Sequence, residues 1–223
     1  MIRYQVLGQS NFAVAILLDI VRQVHSEHEI VAEICGNIPR AENPSLAHSC
    51  DVEGVTTFEV PLSRWRRDPD ARVLLGSIGR ARRRIVEFFS ERFGVEAAEY
   101  ARTVHPGANL PLNLTIGHGV HIGPGASIAP HAVLGDFVVV NRNASIGHHT
   151  KLGSFVAVNP GATVAGVCTL GDDVTIGAGA TVIDGITIGA GTVIGAGSVV
   201  TKNLGENLVA YGVPARVVRR QER

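Results

Sequence analysis

The sequence has few aromatic residues, few cysteines and no net charge. Aromatic side chains make up only 5% of its 223 residues, which suits a structure of tight turns and thin strands. Lysine plus arginine and aspartate plus glutamate balance at 20 each, so no whole-molecule field favours nucleic acid or an anionic membrane. The three cysteines, Cys35, Cys50 and Cys168, show no Cys-x-x-Cys spacing, which fits a reducing compartment better than a disulfide scaffold.

Long apolar runs are also missing. None approaches the roughly 20 residues of a transmembrane helix, and the N-terminal residues lack the pattern of a signal peptide. Two arginine-rich clusters, at residues 64–67 and 80–84, are offset by acidic residues nearby and are interpreted as solvated surface, although one arginine could still contact a substrate phosphate. We therefore expect a soluble, cytoplasmic protein without a nucleic-acid or membrane partner.

What is abundant is glycine, with 26 residues, together with a regular repeat. An aliphatic residue stands at every sixth position from Val104 to Val200 without exception, and a second, mostly small residue stands four positions after each of them. A short fixed period of this kind is typical of a β-solenoid. Side chains alternate between the two faces of a strand, so the small site and the next aliphatic site both point inward and bracket one outward residue.

Each hexad is therefore interpreted as a short strand and a turn, and three hexads, or eighteen residues, as one coil of a three-sided prism. No hexad is expanded, and Gly-x-Gly triplets such as residues 177–179 are interpreted as turns rather than phosphate loops. The predicted β-helix covers residues 104–205. Residues 206–223 break the period and are predicted to cap the open end, where unpaired strand edges would otherwise be exposed.

Residues 1–103 predict a small Rossmann-like α/β domain. Strands are expected at 2–8, 29–35 and 71–75, helices at 12–24 and about 80–92, and a loop at 38–55, with Ser10 or Asn11 capping the first helix. This order indicates an open parallel sheet, which binds ligands beyond the carboxyl ends of its strands. The predicted substrate-binding residues at these ends are Gly8, Gln9, Ser10, Cys35, Gly36, Asn37, Gly76, Ser77 and Ile78. Gly8 stands without a GxGxxG fingerprint, so a simple tight turn explains it equally well.

Histidine supplies the candidate chemistry of the repeat, because a neutral imidazole can accept a proton near physiological pH. His118, His131, His148 and His149 are predicted in turns, and His121 at an outward strand position. Position alone does not choose among the four turn histidines, each of which is compatible with an ordinary surface residue.

Several motifs resemble a known family. Val199–Lys202 followed by Gly212–Arg216, and Asn141 followed by Ser145–His148, are similar to segments of the left-handed β-helix hexapeptide acyltransferases. Together with the N-terminal α/β domain they resemble the sialic-acid O-acetyltransferase-like group. That group includes N-acetyltransferases of nucleotide-linked aminosugars of the bacillosamine and perosamine type.

The resemblance implies an acetyl-CoA-dependent N-acetyltransferase that acts on a nucleotide-linked 4-amino-4,6-dideoxy sugar for surface polysaccharide or glycan synthesis. It selects His148 as the catalytic base, although His149 follows where many relatives have a carboxylate. It places the sugar near Asn141 and implies a homotrimer with acetyl-CoA between neighbouring solenoids. The residues implied to contact acetyl-CoA are Ala157, Gly166, Ala178, Ala196 and Lys202, with Arg216 as a further candidate for the CoA phosphates.

Three alternatives to an N-acetyltransferase are considered. Sugar O-acetylation would need the same base, and a non-catalytic nucleotide-sugar-binding trimer would need none. A zinc site of the kind that other solenoid trimers build from three histidines requires a His-x4-His pair, whereas this chain offers His118-x2-His121 and adjacent His148 and His149. We therefore predict no metal.

Overall fold

The computed structural model describes residues 1–9, 13–36 and 50–221. The chain divides into two compact units, Met1–Pro106 and Gly107–Arg223. The first is an α/β unit with one parallel sheet and the second is a solenoid of very short parallel strands. The predicted fold class, an α/β domain followed by a left-handed parallel β-helix, is confirmed.

The sheet of the first unit has the order β3-β2-β1-β4, and all its strands are parallel. Its strands are β1 (Ile2–Leu7), β2 (Ile30–Cys35), β3 (Val55–Glu59) and β4 (Arg72–Leu75). The central strand β1 buries both of its faces from Tyr4 onward, as expected for a parallel sheet covered by helices. Its core contains Tyr4, Val6, Val14, Leu18, Val21, Ile30, Ala32, Ile34, Cys50 and Leu74.

Two helices accompany this sheet. Helix α1 (Ala13–Val24) follows β1 and buries one apolar face, and α2 (Arg82–Phe93) follows β4. Helix α2 ends at Gly94, whose left-handed backbone (φ 65°) lets its N–H bond to the last carbonyls of the helix. The unit continues through a 3-10 helix, Ala97–Glu99, to the short strand β5 (Thr103–Val104). The predicted cap residues Ser10 and Asn11 lie outside the described residues.

Strand β3 corrects the sequence analysis, which predicted no strand between 36 and 71. The predicted loop 38–55 falls mostly on residues that the structure does not describe, and Val55 at its end already belongs to β3. Among the described strands of the sheet, it lies at the edge and pairs with β2. An edge strand buries few side chains, and Phe58 is 47% exposed, so its hydrophobic signal in the sequence is weak.

The solenoid repeats with a pitch of eighteen residues, as Ser145 pairs with Thr163 and Thr163 with Thr181. Its strands form three faces. Face I contains β6 (Thr115–Ile116), β9 (Val133–Leu134), β12 (Lys151–Leu152), β15 (Thr169–Leu170) and β18 (Thr187–Ile188). Face II contains β7 (His121–Ile122), β10 (Val139–Val140), β13 (Ala157–Val158), β16 (Thr175–Ile176) and β19 (Val193–Ile194). Face III contains β8 (Ser127–Ile128), β11 (Ser145–Ile146), β14 (Thr163–Val164), β17 (Thr181–Val182) and β20 (Val199–Val200).

The hexad at Leu110 departs from the predicted pattern, because Asn109 forms only an isolated bridge to Ser127. Beyond it the inward positions follow the prediction, and residues such as Ala144, Ile146 and Val164 are almost completely buried. Burial of one such Ile or Val side chain contributes about 1.5–3 kcal/mol, and the repeat adds three of these positions in every coil.

Three edges join the faces, and we name them by their polar residues. The acidic edge runs from face I to face II and includes residues 117–120, 135–138, 153–156, 171–174 and 189–192. The asparagine edge runs from face II to face III and includes residues 123–126, 141–144, 159–162, 177–180 and 195–198. The histidine edge runs from face III to face I and includes residues 129–132, 147–150, 165–168 and 183–186.

Every turn from residue 119 to residue 197 holds a left-handed residue three positions after the aliphatic one. Half of these residues are glycine. The others are His131, Phe137, Asn143, His149, Phe155, Val167 and Asp173. A positive φ is uncommon outside glycine, and Asn, Asp and His adopt it more often than bulky residues such as Phe and Val. The backbone of the coil therefore fixes this conformation even where the side chain does not favour it.

A hairpin follows the last coil. Strand β21 (Leu208–Gly212) pairs with β19 in parallel and with β22 (Ala215–Arg220) in antiparallel orientation. The peptide bond between Val213 and Pro214, in the turn of this hairpin, is cis. Both strands of this hairpin fall within residues 206–223, where the sequence predicts a break of the period.

Candidate functional site

The turn after β11 carries two adjacent exposed histidines, His148 and His149, on the histidine edge. Gly147 precedes them, and a Cβ at Gly147 would overlap the backbone of Ala165 in the next coil. This close contact holds the turn backbone against its neighbour. The two imidazoles therefore stand on a rigid support while remaining open to solvent in the single chain.

The ring of His148 lies against Gly166, one coil further along the same edge. A Cβ at Gly166 would come within 2.8 Å of both Cε1 and Nε2 of His148. The backbone N–H of Gly166 donates to Oδ1 of Asp184 at 2.9 Å. The absence of a side chain at Gly166 therefore creates the space in which the imidazole lies.

His148 also contacts its neighbour in sequence. The Nδ1 atoms of His148 and His149 are 3.2 Å apart, and the two rings are nearly perpendicular at 83°. A hydrogen bond at this distance needs one protonated and one unprotonated nitrogen. Nδ1 of His148 is thus engaged by His149, while Nε2 faces Gly166.

The row of ring contacts extends one coil back to His131. The rings of His131 and His149 are tilted by 32° with their centroids 4.7 Å apart. Oδ1 of Asn113 accepts from the backbone N–H of His131 at 3.4 Å, and Nδ2 of Asn113 lies 3.1 Å from Nε2 of His131. Four polar side chains thus form a continuous set, Asn113, His131, His149 and His148, which we call the histidine row.

Another histidine, His118, has a carboxylate partner that the sequence analysis missed. Oδ1 of Asp136 accepts from the backbone N–H of His118 at 2.7 Å and lies 3.1 Å from its Nδ1. The signal was available, since the two residues are eighteen positions apart on the acidic edge. Asp172 and Asp184 accept backbone N–H groups of the preceding coil in the same way, which indicates a structural role for Asp136.

His121, the histidine predicted at an outward strand position, lies on β7 and is 3% exposed.

The strand ends predicted to bind the nucleotide lie together at one edge of the first sheet. The order β2-β1-β4 places their carboxyl ends side by side, with Gly8 N–H donating to Cys35 O and Gly76 N–H to Leu7 O, both at 2.8 Å. A Cβ at Gly76 would overlap the carbonyl of Gly8. The glycines thus allow close approach of the strand ends. Ser10 and Asn37 lie outside the described residues.

The side chains at these ends differ in their accessibility. Gln9, Gly36 and Ile78 are partly exposed, whereas Cys35 and Ser77 are buried. Burial raises the pKa of Cys35 to about 12, so its thiol stays protonated. A ligand at this strand end could therefore contact the backbone of Cys35 but not its buried side chain.

The repeats match a known family model. The description of that model is bacterial transferase hexapeptide (six repeats), and it matches residues 167–202. This stretch equals two coils. Residues 167–202 are therefore similar to the hexapeptide repeats of bacterial transferases. None of the curated proteins matches the chain in sequence.

Solved structures share the architecture of the whole chain, including the hexapeptide solenoid. The acetyltransferase domain of PglB from Neisseria gonorrhoeae, in complex with acetyl coenzyme A, is 25% identical with a TM-score of 0.78, over 97% of this chain and 98% of that one. A variant of perosamine N-acetyltransferase from Caulobacter crescentus, in complex with CoA and GDP-perosamine, is 23% identical with a TM-score of 0.77, over 98% and 97%. WeeI from Acinetobacter baumannii is 21% identical with a TM-score of 0.67, over 98% and 100%. The resemblance to hexapeptide-repeat transferases stated from the sequence is confirmed.

Residues predicted to contact acetyl-CoA or the sugar lie in two separate groups of the hexapeptide solenoid. His148, Gly166 and Lys202 occupy the same turn position in different coils of face III. The asparagine edge carries Ala178, Ala196 and Asn141, and Ala157 lies on face II. One chain therefore does not bring the two groups to a single edge.

Across the described ranges, no three His, Cys, Asp or Glu side chains are grouped so that they could bind one metal ion. Neither helix in the described part of the chain has the length and apolar character that a membrane-spanning segment requires.

Proposed function

We propose that this chain is an acetyl-CoA-dependent N-acetyltransferase whose acceptor is the amino group of a nucleotide-linked aminosugar, with a 4-amino-4,6-dideoxy sugar as the expected type. The observation that carries the proposal is the imidazole of His148, exposed at an edge of a hexapeptide solenoid and supported by Gly166. The shared fold with the acetyl-CoA-bound acetyltransferase domain of PglB supports the same conclusion.

The chemistry needs one base. The amine nitrogen attacks the thioester carbonyl of acetyl-CoA and must lose a proton as the new C–N bond forms. Nε2 of His148 accepts that proton, and the C–S bond then breaks. The sulfur of CoA leaves as a thiolate and takes the proton from His148, so that the products are the amide and free CoA and the base is neutral again. A neutral imidazole suits this step because its pKa lies near the working pH.

The two other ligand roles follow from the same proposal. The nucleotide binds at the strand ends around Gly8, Gly36 and Ile78, whose backbone groups and partial exposure permit it. Acetyl-CoA takes the edges with small turn residues, and the exposed cation Lys202 meets its phosphates. Because Ala178 and Ala196 lie on a different edge from His148, a second copy would have to supply one of the two groups. We therefore propose a homotrimer with the cofactor between neighbouring solenoids.

The test is direct acetyl transfer. Purified protein is incubated with acetyl-CoA and a panel of nucleotide sugars that carry either an amino or a hydroxyl group at the acceptor position. Free thiol and product mass are both measured. Amide formation on an aminosugar supports the proposal, while ester formation would assign an O-acetyltransferase. Binding of nucleotide sugar without binding of acetyl-CoA would assign a non-catalytic binding protein.

A matched pair of variants tests the base. His148→Asn should lower kcat by about 10²–10⁴-fold, the usual contribution of a general base. His118→Asn makes the same replacement at the equivalent turn position on the acidic edge and should keep kcat within about twofold of wild type. Full turnover by His148→Asn, with the oligomer intact by light scattering, would refute the assigned mechanism.

A further inference from the structure

The geometry points to His149 as the positioning residue of His148, taking the place of a carboxylate, with the ring of His131 packed against His149. This inference rests on the proposed function, because it gives His148 the role of base. It concerns the histidine row alone and needs no residue outside the solenoid.

The first step is the tautomer of His148. Its Nδ1 lies 3.2 Å from Nδ1 of His149, so only one of these two nitrogens carries a proton when both rings are neutral. Once Nε2 of His148 has accepted the proton of the amine, His148 is an imidazolium and both its nitrogens carry hydrogen. Nδ1 of His149 must then be the acceptor, with its own proton on Nε2. The reaction therefore selects the arrangement in which His148 donates from Nδ1 and keeps Nε2 free.

The second step is the charge of His149. A protonated His149 has no lone pair and would repel the imidazolium of His148. His131 lies over it with ring centroids 4.7 Å apart, so a charge on His131 would act against the same state. Among the described residues along this edge, Lys151 lies next to the turn, Oδ1 of Asp184 accepts from Gly166 N–H, and Lys202 lies three coils beyond His148.

The third step is the support of His131. Oδ1 of Asn113 accepts from the backbone N–H of His131 at 3.4 Å, and Nδ2 of Asn113 lies 3.1 and 3.3 Å from the two ring nitrogens. An atom this close to both nitrogens lies over the face of the ring, so Asn113 packs against His131. His131 in turn lies against His149, and the row therefore limits the orientations that the ring of His149 can adopt.

The backbone at His149 permits a clean set of replacements. Its φ is 56°, and Asn143, Asp173 and Gly185 adopt similar values at the equivalent turn position. Oδ1 of Asn or Asp is separated from Cα by the same number of bonds as Nδ1 of His. His149→Gly therefore removes the acceptor, His149→Asn keeps a neutral acceptor, and His149→Asp supplies a charged one, with the turn retained in each. Asp173→Gly is the control, since it makes the glycine replacement at the same turn position on the acidic edge.

Steady-state kinetics should separate these variants. His149→Gly should lower kcat by about 10–100-fold with little change in either KM, because the lost contact acts through the base. His149→Asn should recover most of that loss. His149→Asp should recover it and move the acidic limb of the pH profile of kcat/KM to higher pH, since a carboxylate favours protonated His148. Asp173→Gly should stay within about twofold of wild type.

An NMR measurement gives a readout that does not depend on turnover. Ring ¹⁵N shifts of His148 at neutral pH should report a proton on Nδ1 in wild type and in His149→Asn, and a shift of the proton to Nε2 in His149→Gly. An unchanged tautomer and unchanged kcat in His149→Gly, with His148→Asn inactive, would overturn this inference and leave the proposed function standing. An inactive wild type in every acetyl-transfer assay would instead overturn the proposed function.

Discussion

The imidazole of His148 lies against the Cα of Gly166 in the next coil, in space that a methyl group at Gly166 would fill. The side chain that we assign as base therefore depends on a residue eighteen positions away that has no side chain. Gly166 was selected from sequence as a contact of acetyl-CoA. That role stays a prediction, and the structure adds a second one, the support of the His148 ring.

Replacement of Gly166 by alanine should displace the imidazole. A Cβ within 2.8 Å of Cε1 and Nε2 requires the ring to move, so we expect kcat to fall by about 10²-fold or more, as small misplacements of reacting groups do. Gly205→Ala is the matched control, because its Cβ would find its nearest neighbour at 3.8 Å. Equal activity of the two variants in the acetyl-transfer assay would show that the ring position does not matter.

The pair of His118 and Asp136 should matter for stability and not for turnover. Asp136→Ala removes the acceptor of the His118 backbone N–H, so the free energy of unfolding should fall by about 1–2 kcal/mol. His118→Asn keeps that backbone bond and should cost less than about 1 kcal/mol, because the ring is half exposed. Denaturant titration measures both changes. If Asp136→Ala remains folded but loses most of its kcat, the catalytic base would be His118 of this pair and not His148.

The buried thiol of Cys35 should make the protein less stable in alkali. Burial raises its pKa to about 12 in the folded state, while an unfolded thiol ionises near pH 9. The unfolded chain therefore binds fewer protons than the folded one above that pH, and stability falls as pH rises. The Cys35 contribution approaches about 1.4 kcal/mol per pH unit. Between pH 8 and 10.5, the denaturation midpoint of Cys35→Ala should decline less steeply than that of wild type. Equal slopes in the two proteins would contradict a role of Cys35 in the loss of stability.

The strand ends of the first unit should respond to a new charge. Ile78 follows β4 and is partly exposed, so Ile78→Glu places a carboxylate beside the proposed diphosphate site. A nucleotide sugar at about 100 times its Kd should stabilise wild type by roughly 2.7 kcal/mol, and this variant should lose most of that gain. Val24→Glu, at an exposed apolar residue of the same unit, should keep it. Thermal unfolding with and without ligand measures the difference.

The coil itself was predictable because one physical rule governs every inward position. A residue such as Ile146 must be aliphatic to fill the prism, and its neighbour Gly147 must lack a side chain where the next coil touches it. The eighteen-residue pitch also implied the contact between His118 and Asp136, although the sequence analysis did not apply it to that pair.

Other features were not predictable from the period. Strand β3 was missed because an edge strand with Phe58 in solvent leaves little hydrophobic pattern. The contact between His148 and His149 depends on the left-handed backbone of His149, which turns a side chain out of the ordinary strand alternation. The hexad pattern predicts where the turn lies but does not predict the φ of His149.

The left-handed turn position also sets a fixed spacing for chemistry. Strands of neighbouring coils lie about 4.8 Å apart, and the ring pairs His131–His149 and Phe137–Phe155 reproduce that step with centroid distances of 4.7 and 4.8 Å. Two side chains at this position in adjacent coils are therefore held at stacking distance by the backbone alone. Moving a functional group to the equivalent position of the next coil would therefore shift it by one strand spacing along the edge and leave its direction unchanged. The solenoid thus allows the distance between two reactive groups to change in fixed steps.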